Sequence, residues 1–348
     1  MSSTAEHLEA TGGKFRHHFA ADFVMLMLVM KMKKISVVLL ISYLLCMVLP
    51  AFLIKLFYNE QKAINEIPDN QSVIHSVCID VLMPDGSINE MVLDEYLTGV
   101  LLAEMPMSFH EEALKAQAVA ARTYTLRSAK VKSKHENADV CTNPSCCQAY
   151  LSMTEYAEMG GTKENINKAQ NAVSSTVDEV ITYQGELIEA AYFSCSGGRT
   201  EDAIAVWGTD VPYLQAVDSP GEEQATYFIN TVTFTTAEFC NMLGLDHNNR
   251  ITIESITYTN GGSVGTIVIS GKQFTGMQLR GKLGLKSTAF SITALGSTVT
   301  ITTRGFGHRV GMSQYGADAM AEAGYDYQQI LTYYYSGTEV SQLLAQQN

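Results

Sequence analysis

The chain has 348 residues, 17% of them charged, and a formal net charge of −13 at pH 7. This length is enough to bury one large hydrophobic core or two smaller ones. The acidic balance argues against a nucleic-acid-binding protein, because such a protein needs an excess of basic side chains to neutralise phosphates.

The first predicted element is an apolar segment at residues 35–57. As a helix it would span roughly 35 Å, which is enough to cross the core of a bilayer. Lys31, Lys33 and Lys34 precede it, so the positive-inside rule places residues 1–34 in the cytoplasm and the following chain outside. A cleaved signal peptide and a buried soluble helix are the alternatives. The length of the segment, and the lack of a small-x-small cleavage site after it, favour a retained single-pass membrane anchor.

The segments on either side of this anchor carry less information. Residues 1–30 have neither a second spanning length nor a clear domain pattern. One hypothesis is that they are a non-native extension and that translation starts at Met30 or Met32, which would give the usual basic-then-apolar start of an anchor. Residues 58–75 form the predicted linker, and residues 76–345 form the predicted extracytoplasmic domain.

The domain begins with a predicted pair of helices. Apolar residues at helical spacing predict the first helix over residues 93–103, and Pro106 stops it. Glu104 lies at the exit of this helix. Partial burial there would raise the pKa of the carboxyl and let it act as a general acid, although an ordinary helix-end carboxylate fits the same pattern.

The second helix is predicted to start near Glu111 and is rich in alanine, which permits close packing. Lys115 and Arg122 are seven residues apart on it, so they share one face and could both point at whatever Glu104 acts on. The alternative for Lys115 is an ion pair with Glu111 on the helix surface.

Four nitrogen and sulfur side chains follow within thirteen residues: His135, Cys141, Cys146 and Cys147. Such ligands suit tetrahedral zinc, and a closed shell of four would make the metal structural, because no position is left for an activated water. The spacing differs from that of zinc fingers. In an extracytoplasmic domain, a disulfide from Cys141 to Cys146 or Cys147 would hold the same loop, so both interpretations stay open.

Strand-like alternation follows residue 172, with a turn predicted at Gln184 and Gly185, and a second strand leads into a loop at residues 194–198. Cys195 lies in this loop, but no cysteine-protease motif surrounds it, so we do not interpret it as a nucleophile with His308 as its base. Trp207 comes soon after. A lone tryptophan is more often a core residue than a platform for a sugar ring.

Residues 231–296 predict a further lobe, with strands near 252–258 and 265–270 and a short helix at 276–283. We find no evident chemistry in it and interpret it as support for a cleft. The predicted fold class is therefore α+β, with an N-terminal transmembrane helix followed by a two-lobed extracytoplasmic domain that holds a substrate cleft.

The run RGFGHRVGMSQYGADAMAEAG at residues 304–324 contains five glycines. Glycine lets the backbone turn sharply and approach a ligand, and His308, Ser313, Gln314 and Tyr315 supply hydrogen-bonding side chains. This pattern is typical of a binding surface, although a glycine-rich turn entering a helix has the same composition.

Four ordered motifs carry a resemblance to a known family. They are LLAEMPMSFHEEALKAQAVAARTY at residues 101–124, the His-Cys cluster followed by Gln-Ala and an aromatic, the S-x-S-G-G turn at 194–198 with Trp207, Gly208, Tyr213 and Leu214 beyond it, and the glycine-rich run. Together they resemble the SpoIID/LytB family over roughly residues 78–340. In the cluster, Cys146 stands where clostridial members have a second histidine, and a thiolate can replace an imidazole on zinc.

The resemblance implies a lytic transglycosylase that cleaves the bond between N-acetylmuramic acid and N-acetylglucosamine in peptidoglycan and forms an anhydro-muramyl end. It implies Glu104 as the catalytic acid, and it implies a structural zinc ion on His135, Cys141, Cys146 and Cys147. The implied substrate-binding residues are Lys115, Arg122, Ser194, Ser196, His308, Ser313, Gln314 and Tyr315. Asp202, Asp210 and Asp218 are candidates for a second acid.

The family context further implies work during forespore engulfment, in the engulfing membrane of the mother cell. The implied partners are glycan strands stripped of their peptides, a peptidoglycan amidase and membrane engulfment proteins. The alternative from a different class is a non-catalytic glycan-binding protein that activates an amidase.

Overall fold

The computed structural model describes residues 77–132, 134–246 and 250–343. The predicted anchor at residues 35–57, the N-terminal segment and the linker at 58–75 lie outside these ranges. Within them, no helix is both long enough and apolar enough to cross a membrane.

The helix pair has the bounds that the sequence predicts. Helix α1 (Leu93–Glu104) ends just before Pro106, and helix α2 (Glu111–Val131) begins after His110, whose Nδ1 accepts a hydrogen bond from the amide of Glu112. A side-chain acceptor at this position satisfies one of the free amides of the first turn. The five alanines in the first half of α2 are fully buried, so neighbouring elements approach its axis closely: Ala113, Ala116, Ala118, Ala120 and Ala121.

The first lobe surrounds α2 with short helices and three small sheets. Its remaining elements are β1 (Cys78–Leu82), β2 (Ile88–Val92), β3 (Val140–Cys141), α3 (Met153–Glu158), α4 (Lys163–Ser174), β4 (Glu179–Tyr183), β5 (Glu186–Leu187), β6 (Tyr192–Phe193), α5 (Ala203–Trp207), β13 (Met312–Ser313), α8 (Gln314–Glu322), α9 (Tyr327–Tyr334) and β14 (Glu339–Gln342). Helices α1, α4, α8 and α9 all pack against α2. Their buried apolar side chains form one core.

The small sheets bring distant segments together. Strand β1 pairs antiparallel with β2 and parallel with β3, β14 pairs antiparallel with β4, and β6 pairs parallel with β13. Strands β4 and β5 form a hairpin around the predicted turn at Gln184 and Gly185, which both have positive φ, at 53° and 82°. The predicted second strand is interrupted at residues 188–191 and resumes as β6. The pairing of β6 with β13 is the one that matters for function, because it places the S-x-S-G-G loop beside the glycine-rich run.

The second lobe is inserted between these two strands. It consists of β7 (Ile229–Thr235), α6 (Thr236–Leu243), β8 (Ile253–Tyr258), β9 (Val264–Ile269), β10 (Lys272–Thr275), α7 (Gly276–Leu283), β11 (Phe290–Leu295) and β12 (Thr298–Arg304). Two three-stranded antiparallel sheets, β10-β9-β8 and β11-β12-β7, enclose a separate apolar core. The two predicted strands and the predicted helix are confirmed as β8, β9 and α7.

Buried charged side chains fasten the two lobes to each other. Glu201, which is 0% exposed, accepts hydrogen bonds from the amide of Gly261 at 3.0 Å and from the hydroxyl of Thr259 at 2.5 Å. Arg309, which is 3% exposed, donates to the carbonyl of Gly261 at 2.9 Å and to the hydroxyl of Ser263 at 2.7 Å. Charged groups are buried at such a depth only when they are fully bonded. The mixed α+β fold thus holds its two lobes in a fixed relation around the space between them.

Candidate functional site

Glu104, the last residue of α1, faces a cavity between the lobes. Its Oε1 accepts a hydrogen bond from the backbone amide of Ala149 at 2.7 Å, and its Oε2 lies 3.5 Å from the side-chain nitrogen of Gln314. Burial raises the pKa of Glu104, while these two hydrogen bonds act in the opposite direction. The net direction is upward, so the carboxyl keeps its proton to a higher pH than an exposed glutamate does.

The amide that holds Glu104 belongs to a loop fixed by Gln148. The side-chain nitrogen of Gln148 donates to the hydroxyls of Tyr96 and Thr125 at 3.2 and 3.0 Å, and its oxygen accepts from the hydroxyl of Tyr192 at 3.0 Å. These partners come from α1, α2 and β6. Both N–H donors of the Gln148 side chain and its oxygen are thereby used to anchor the chain next to Ala149.

Gly99 explains how this loop lies so close to α1. A Cβ atom at this position would lie 2.3 Å from the ring of Tyr150 and 2.7 Å from the carbonyl oxygen of Leu151. Both distances are well below van der Waals contact, so only glycine fits at this point of the helix. Tyr150 also stacks on Tyr96, with ring centroids 5.6 Å apart.

The four predicted metal ligands converge directly before this loop. Single ligand atoms of His135, Cys141, Cys146 and Cys147 all lie within 4.8 Å of one another. The separations are 3.9 Å between the sulfurs of Cys146 and Cys147, and 3.6 and 3.3 Å from those sulfurs to Nε2 of His135. A tetrahedral zinc ion with Zn–S bonds of about 2.3 Å and Zn–N bonds of about 2.0 Å requires edges of about 3.5 to 3.8 Å.

The donor set therefore fits one tetrahedral ion. The alternative of a Cys141 disulfide is not formed: Cys141, Cys146 and Cys147 are free thiols. Two of the ligands also immediately precede Gln148 and Ala149 in the chain, so an ion held by the cluster would further restrain the loop that positions Glu104.

The cavity that Glu104 faces has a volume of about 940 Å³ and is lined by both lobes. Gln314, Ser194 and Trp207 line it from the first lobe, and Arg280 lines it from the second. Trp207 is 43% exposed, so it is a wall of this cavity and the alternative of a core residue does not hold. Such a volume accommodates more than one sugar ring, and an exposed indole offers an apolar face to one of them.

His308 lines the same cavity. Burial and the charge of Arg280 lower the pKa of His308 to about 4, so the imidazole is neutral at pH 7. Its Nδ1 accepts a hydrogen bond from the amide of Val310 at 3.2 Å, and its ring lies against those of Phe193 and Trp207. We interpret His308 as an aromatic wall that supports Trp207 rather than as a proton acceptor.

Cys195 does not pair with His308. Its thiol donates to Glu222 at 3.2 Å, and burial together with the charge of Glu222 raises the pKa of the thiol. A buried thiol kept protonated in this way is a poor nucleophile. Cys195 is therefore not a nucleophile in this geometry, as the sequence indicates.

The glycine-rich run contributes two of its four predicted side chains to the cavity, His308 and Gln314. Ser313 is fully buried, and its hydroxyl caps helix α8 by accepting from the amide of Gly316 at 3.2 Å. Tyr315 packs edge-to-face on Phe109, with ring centroids 4.9 Å apart. The structure therefore places Ser313 and Tyr315 behind the cavity wall, which corrects their expected position.

The loop at residues 194–198 divides in the same way. Ser194 lines the cavity, and its carbonyl accepts from the amide of Tyr315 at 3.1 Å. Ser196 is fully buried and donates to Glu222 at 2.9 Å. Glu222 also accepts from the amides of Ser196 and Gly197 at 2.7 and 3.0 Å. Ser196 therefore belongs to the support of the loop and not to the cavity surface.

Lys115 and Arg122 also lie outside the cavity lining. Lys115 forms ion pairs with Glu111 at 2.9 Å and Glu112 at 2.8 Å. Arg122 is 1% exposed, and its guanidinium donates to the carbonyls of three residues of the first lobe, at 2.7, 3.0 and 3.3 Å. At Arg122 this side of α2 packs against α4 and β4. The expectation that Lys115 and Arg122 point toward the Glu104 site is therefore wrong.

The candidates for a second acid are engaged elsewhere. Asp202 accepts from the amide of Ala216 at 2.6 Å, and Asp218 forms an ion pair with Arg199 at 2.5 Å. Asp210 is a surface acceptor for Gln215 at 3.4 Å. The other carboxylate in the cavity lining is Glu189, which forms an ion pair with Arg127. Glu104 is thus the carboxyl of this lining with both a raised pKa and a neutral hydrogen-bond environment.

Comparison with known proteins shows which family the chain belongs to. A family model described as "Stage II sporulation protein" (SpoIID) matches residues 85–183, a range that contains Glu104, Ala149 and the His-Cys cluster. The chain is 42% identical over 261 residues to the Stage II sporulation protein D of Bacillus subtilis (strain 168), which covers 74% of this chain and 76% of the relative. The chain belongs to the SpoIID family.

This SpoIID chain is also similar to further relatives. It is 41% identical over 261 residues to the Stage II sporulation protein D of Bacillus amyloliquefaciens, again with 74% of this chain and 76% of the relative covered. It is also 30% identical over 300 residues to a Bacillus subtilis protein named "Amidase enhancer", which covers 70% of this chain and 40% of that relative. The resemblance seen in the sequence is confirmed, and the chain is a SpoIID-family sporulation protein.

Proposed function

We propose that this chain is a lytic transglycosylase that cleaves the bond between N-acetylmuramic acid and N-acetylglucosamine in peptidoglycan. The observation that carries the proposal is Glu104: a partly buried carboxyl with a raised pKa, held at both oxygens, at the wall of a cavity of about 940 Å³. A carboxyl of this kind can donate a proton to a glycosidic oxygen near neutral pH.

The proposed reaction needs one carboxyl in two successive roles. Glu104 protonates the oxygen of the leaving sugar while the bond from that oxygen to the muramyl C1 breaks. The primary hydroxyl on C6 of the same muramyl ring then attacks C1, and Glu104, now a carboxylate, takes up the hydroxyl proton. The C6–O–C1 bond closes an anhydro ring, Glu104 is protonated again, and water is not consumed.

The carboxylate distribution supports this scheme over ordinary hydrolysis. An inverting or retaining glycosidase generally uses two carboxyl groups on opposite sides of the scissile bond. In this cavity the other carboxylate is Glu189, which is engaged in an ion pair with Arg127. An intramolecular nucleophile removes the need for a second catalytic carboxyl.

The hydrogen bond from Ala149 contributes to both steps. A backbone amide favours the ionised carboxylate that forms after proton donation, while burial favours the acid that starts the reaction. The two opposing influences bring the two forms closer in free energy. This is suitable for a group that must give and then accept a proton in one turnover.

We further propose a structural zinc ion bound by His135, Cys141, Cys146 and Cys147, whose spacing suits a tetrahedral site. When bound, it would supply a rigid cross-link within the loop and no Lewis-acid chemistry, since its four ligands close the shell. The proposed setting is the outer face of the mother-cell engulfing membrane, with a membrane anchor, a peptidoglycan amidase and engulfment proteins as partners.

The competing function is a glycan-binding protein that activates an amidase without cutting strands, which the name of the "Amidase enhancer" relative suggests for that protein. Mass analysis of glycan strands incubated with the purified chain separates the two. A transglycosylase releases products lighter by one water than hydrolytic products, because each new end is an anhydro sugar. Unchanged strands, together with faster peptide removal by an added amidase, would favour the activator.

A further inference from the structure

Arg280 is a charged side chain of the second lobe that reaches the Glu104 cavity. It lies in the last turn of α7 and lines the cavity together with His308 and Trp207. Its side chain is partly buried, and burial lowers the pKa of its guanidinium. The sequence offered no reason to single it out, because the lobe that carries it looked purely structural.

The guanidinium of Arg280 has no protein partner in the parts of the chain that the structure describes: neither an ion pair nor a hydrogen bond reaches it. The other cationic side chains of the cavity lining are engaged. Arg127 pairs with Glu189, and the ammonium of Lys134 donates to the hydroxyl of Tyr124 and the carbonyl of Cys146, both at 2.7 Å. Arg280 is therefore the cation that this lining leaves available to a ligand.

An arginine without a partner is unfavourable at a partly buried position, because the charge loses water without gaining a bond. A favourable interaction with the C-terminal end of α7 does not explain the placement. Lys282 lies in the same last turn and is exposed, so a charge can interact with the helix end while remaining in water. The burial of Arg280 toward the cavity has to be explained by what the cavity binds.

We propose that Arg280 binds a carboxylate on the ligand and so selects which glycan strands enter the cavity. The planar guanidinium can donate two parallel hydrogen bonds to the two oxygens of one carboxylate. The proposal rests on the proposed function, since it takes peptidoglycan as the ligand. In that polymer the glucosamine ring is neutral, and the muramyl ring carries a lactyl group that ends in a carboxylate where no peptide is attached and in an amide where one is.

Arg280 is accordingly a specificity-determining residue that favours muramyl rings with a free lactyl carboxylate. A peptide-bearing ring presents a neutral amide at the same place, so its entry would leave the guanidinium without a partner in a partly dehydrated site. This penalty for the wrong ligand discriminates more strongly than the gain from the right one.

The test compares two probes: glycan strands with free lactyl carboxylates, and the same strands with these carboxylates converted to methylamides. Binding is measured with the full chain carrying Glu104→Gln, so that strands are not cut. We expect the free-acid strands to bind at least about tenfold more tightly, because charge-assisted bidentate pairs are the strong ones. Adding Arg280→Gln should remove this preference, and adding Lys282→Gln, the matched control on the same helix turn, should preserve it.

Two results would overturn the assignment of Arg280. The first is equal binding of both probes by the chain that carries Glu104→Gln alone, a result that does not depend on whether the Arg280→Gln variant folds. The second is an undiminished preference for free-acid strands after Arg280→Gln. The proposed function fails separately. If the unsubstituted chain prefers free-acid strands but releases no anhydro-muramyl ends, the carboxylate site stands and catalysis does not. If the unsubstituted chain binds both probes equally well and releases anhydro-muramyl ends from both, the catalytic function stands and the role of Arg280 does not.

Discussion

Replacing Arg122 with alanine tests whether this residue belongs to the fold or to the substrate site. The guanidinium is 1% exposed and donates to the carbonyls of Val173, Thr176 and Glu179. Arg122→Ala removes one charged hydrogen bond from each of these three carbonyls, of which those of Val173 and Thr176 keep a backbone amide as a second donor. A hydrogen bond to a charged group contributes about 1.5–3 kcal/mol.

Water can enter the space that the side chain vacates and satisfy part of this loss. We therefore expect the free energy of unfolding to fall by about 3–5 kcal/mol rather than by the full sum. For a domain of this size, each kcal/mol corresponds to about 2–4 °C in Tm, so the melting temperature should drop by roughly 10 °C. Thermal unfolding of the purified variant, followed by circular dichroism, measures this directly.

Lys115→Ala is the matched control on the same helix. Lys115 makes ion pairs with the exposed Glu111 and the partly buried Glu112, and pairs near the surface contribute up to about 1 kcal/mol each. The Tm of the Lys115→Ala variant should therefore fall by no more than about 5 °C, less than the fall expected for Arg122→Ala. If Arg122→Ala melts within about 2 °C of the unsubstituted chain yet loses strand cleavage per folded molecule, Arg122 binds substrate and does not have the structural role described above.

Three further predictions concern the cavity and its support. The chain should contain one zinc ion by elemental analysis, and chelation should lower both Tm and cleavage, whereas metal-free protein with unchanged Tm would remove the zinc assignment. Gln314→Met deletes a donor that favours ionised Glu104, so the pKa of Glu104 should rise further. Since the reaction starts from protonated Glu104, the alkaline limb of the pH–rate profile should move to higher pH, and an unmoved or acid-shifted limb would contradict this. Trp207→Ala should weaken strand binding by about tenfold with little change in Tm. Tyr258 is also an exposed aromatic residue but lies outside the cavity lining, so Tyr258→Ala should leave strand binding and Tm unchanged. Equal effects of the two substitutions on binding would show that Trp207 is not a platform for a sugar ring.

The sequence predicts the local elements of the site well, because their causes are local. Pro106 ends α1 directly after Glu104, and His135, Cys141, Cys146 and Cys147 lie so near one another in the chain that a shared metal site could be proposed from the sequence. The carboxyl and the metal ligands are side chains whose chemistry shows in the sequence. For these residues, prediction and structure agree in placement.

The parts that could not be predicted depend on contacts between distant segments. The backbone amide of Ala149 holds Glu104, and a backbone donor has no residue type that would mark it in a sequence. Helical spacing shows that Lys115 and Arg122 share a face, but not that this face is turned away from the cavity. Arg280 reaches the site only because the lobes pack against each other.

Buried charge is the other feature that composition conceals. Glu201, Glu222 and Arg309 are all at most 3% exposed, although charged residues are ordinarily assigned to the surface. Each binds several backbone groups of loops that have no regular hydrogen bonding of their own. These loops, rather than the helices, hold the two lobes at the distance that forms the cavity.

The central claim is that Glu104 transfers the proton that breaks the glycosidic bond, and Glu104→Gln tests it most directly. The amide preserves the size of the side chain but cannot donate a proton as an acid. Anhydro-muramyl ends released per minute, measured by mass spectrometry on strands that the variant still binds, should fall by at least about a hundredfold. Release at the unsubstituted rate, with binding intact, would contradict the account and assign the chemistry to another group.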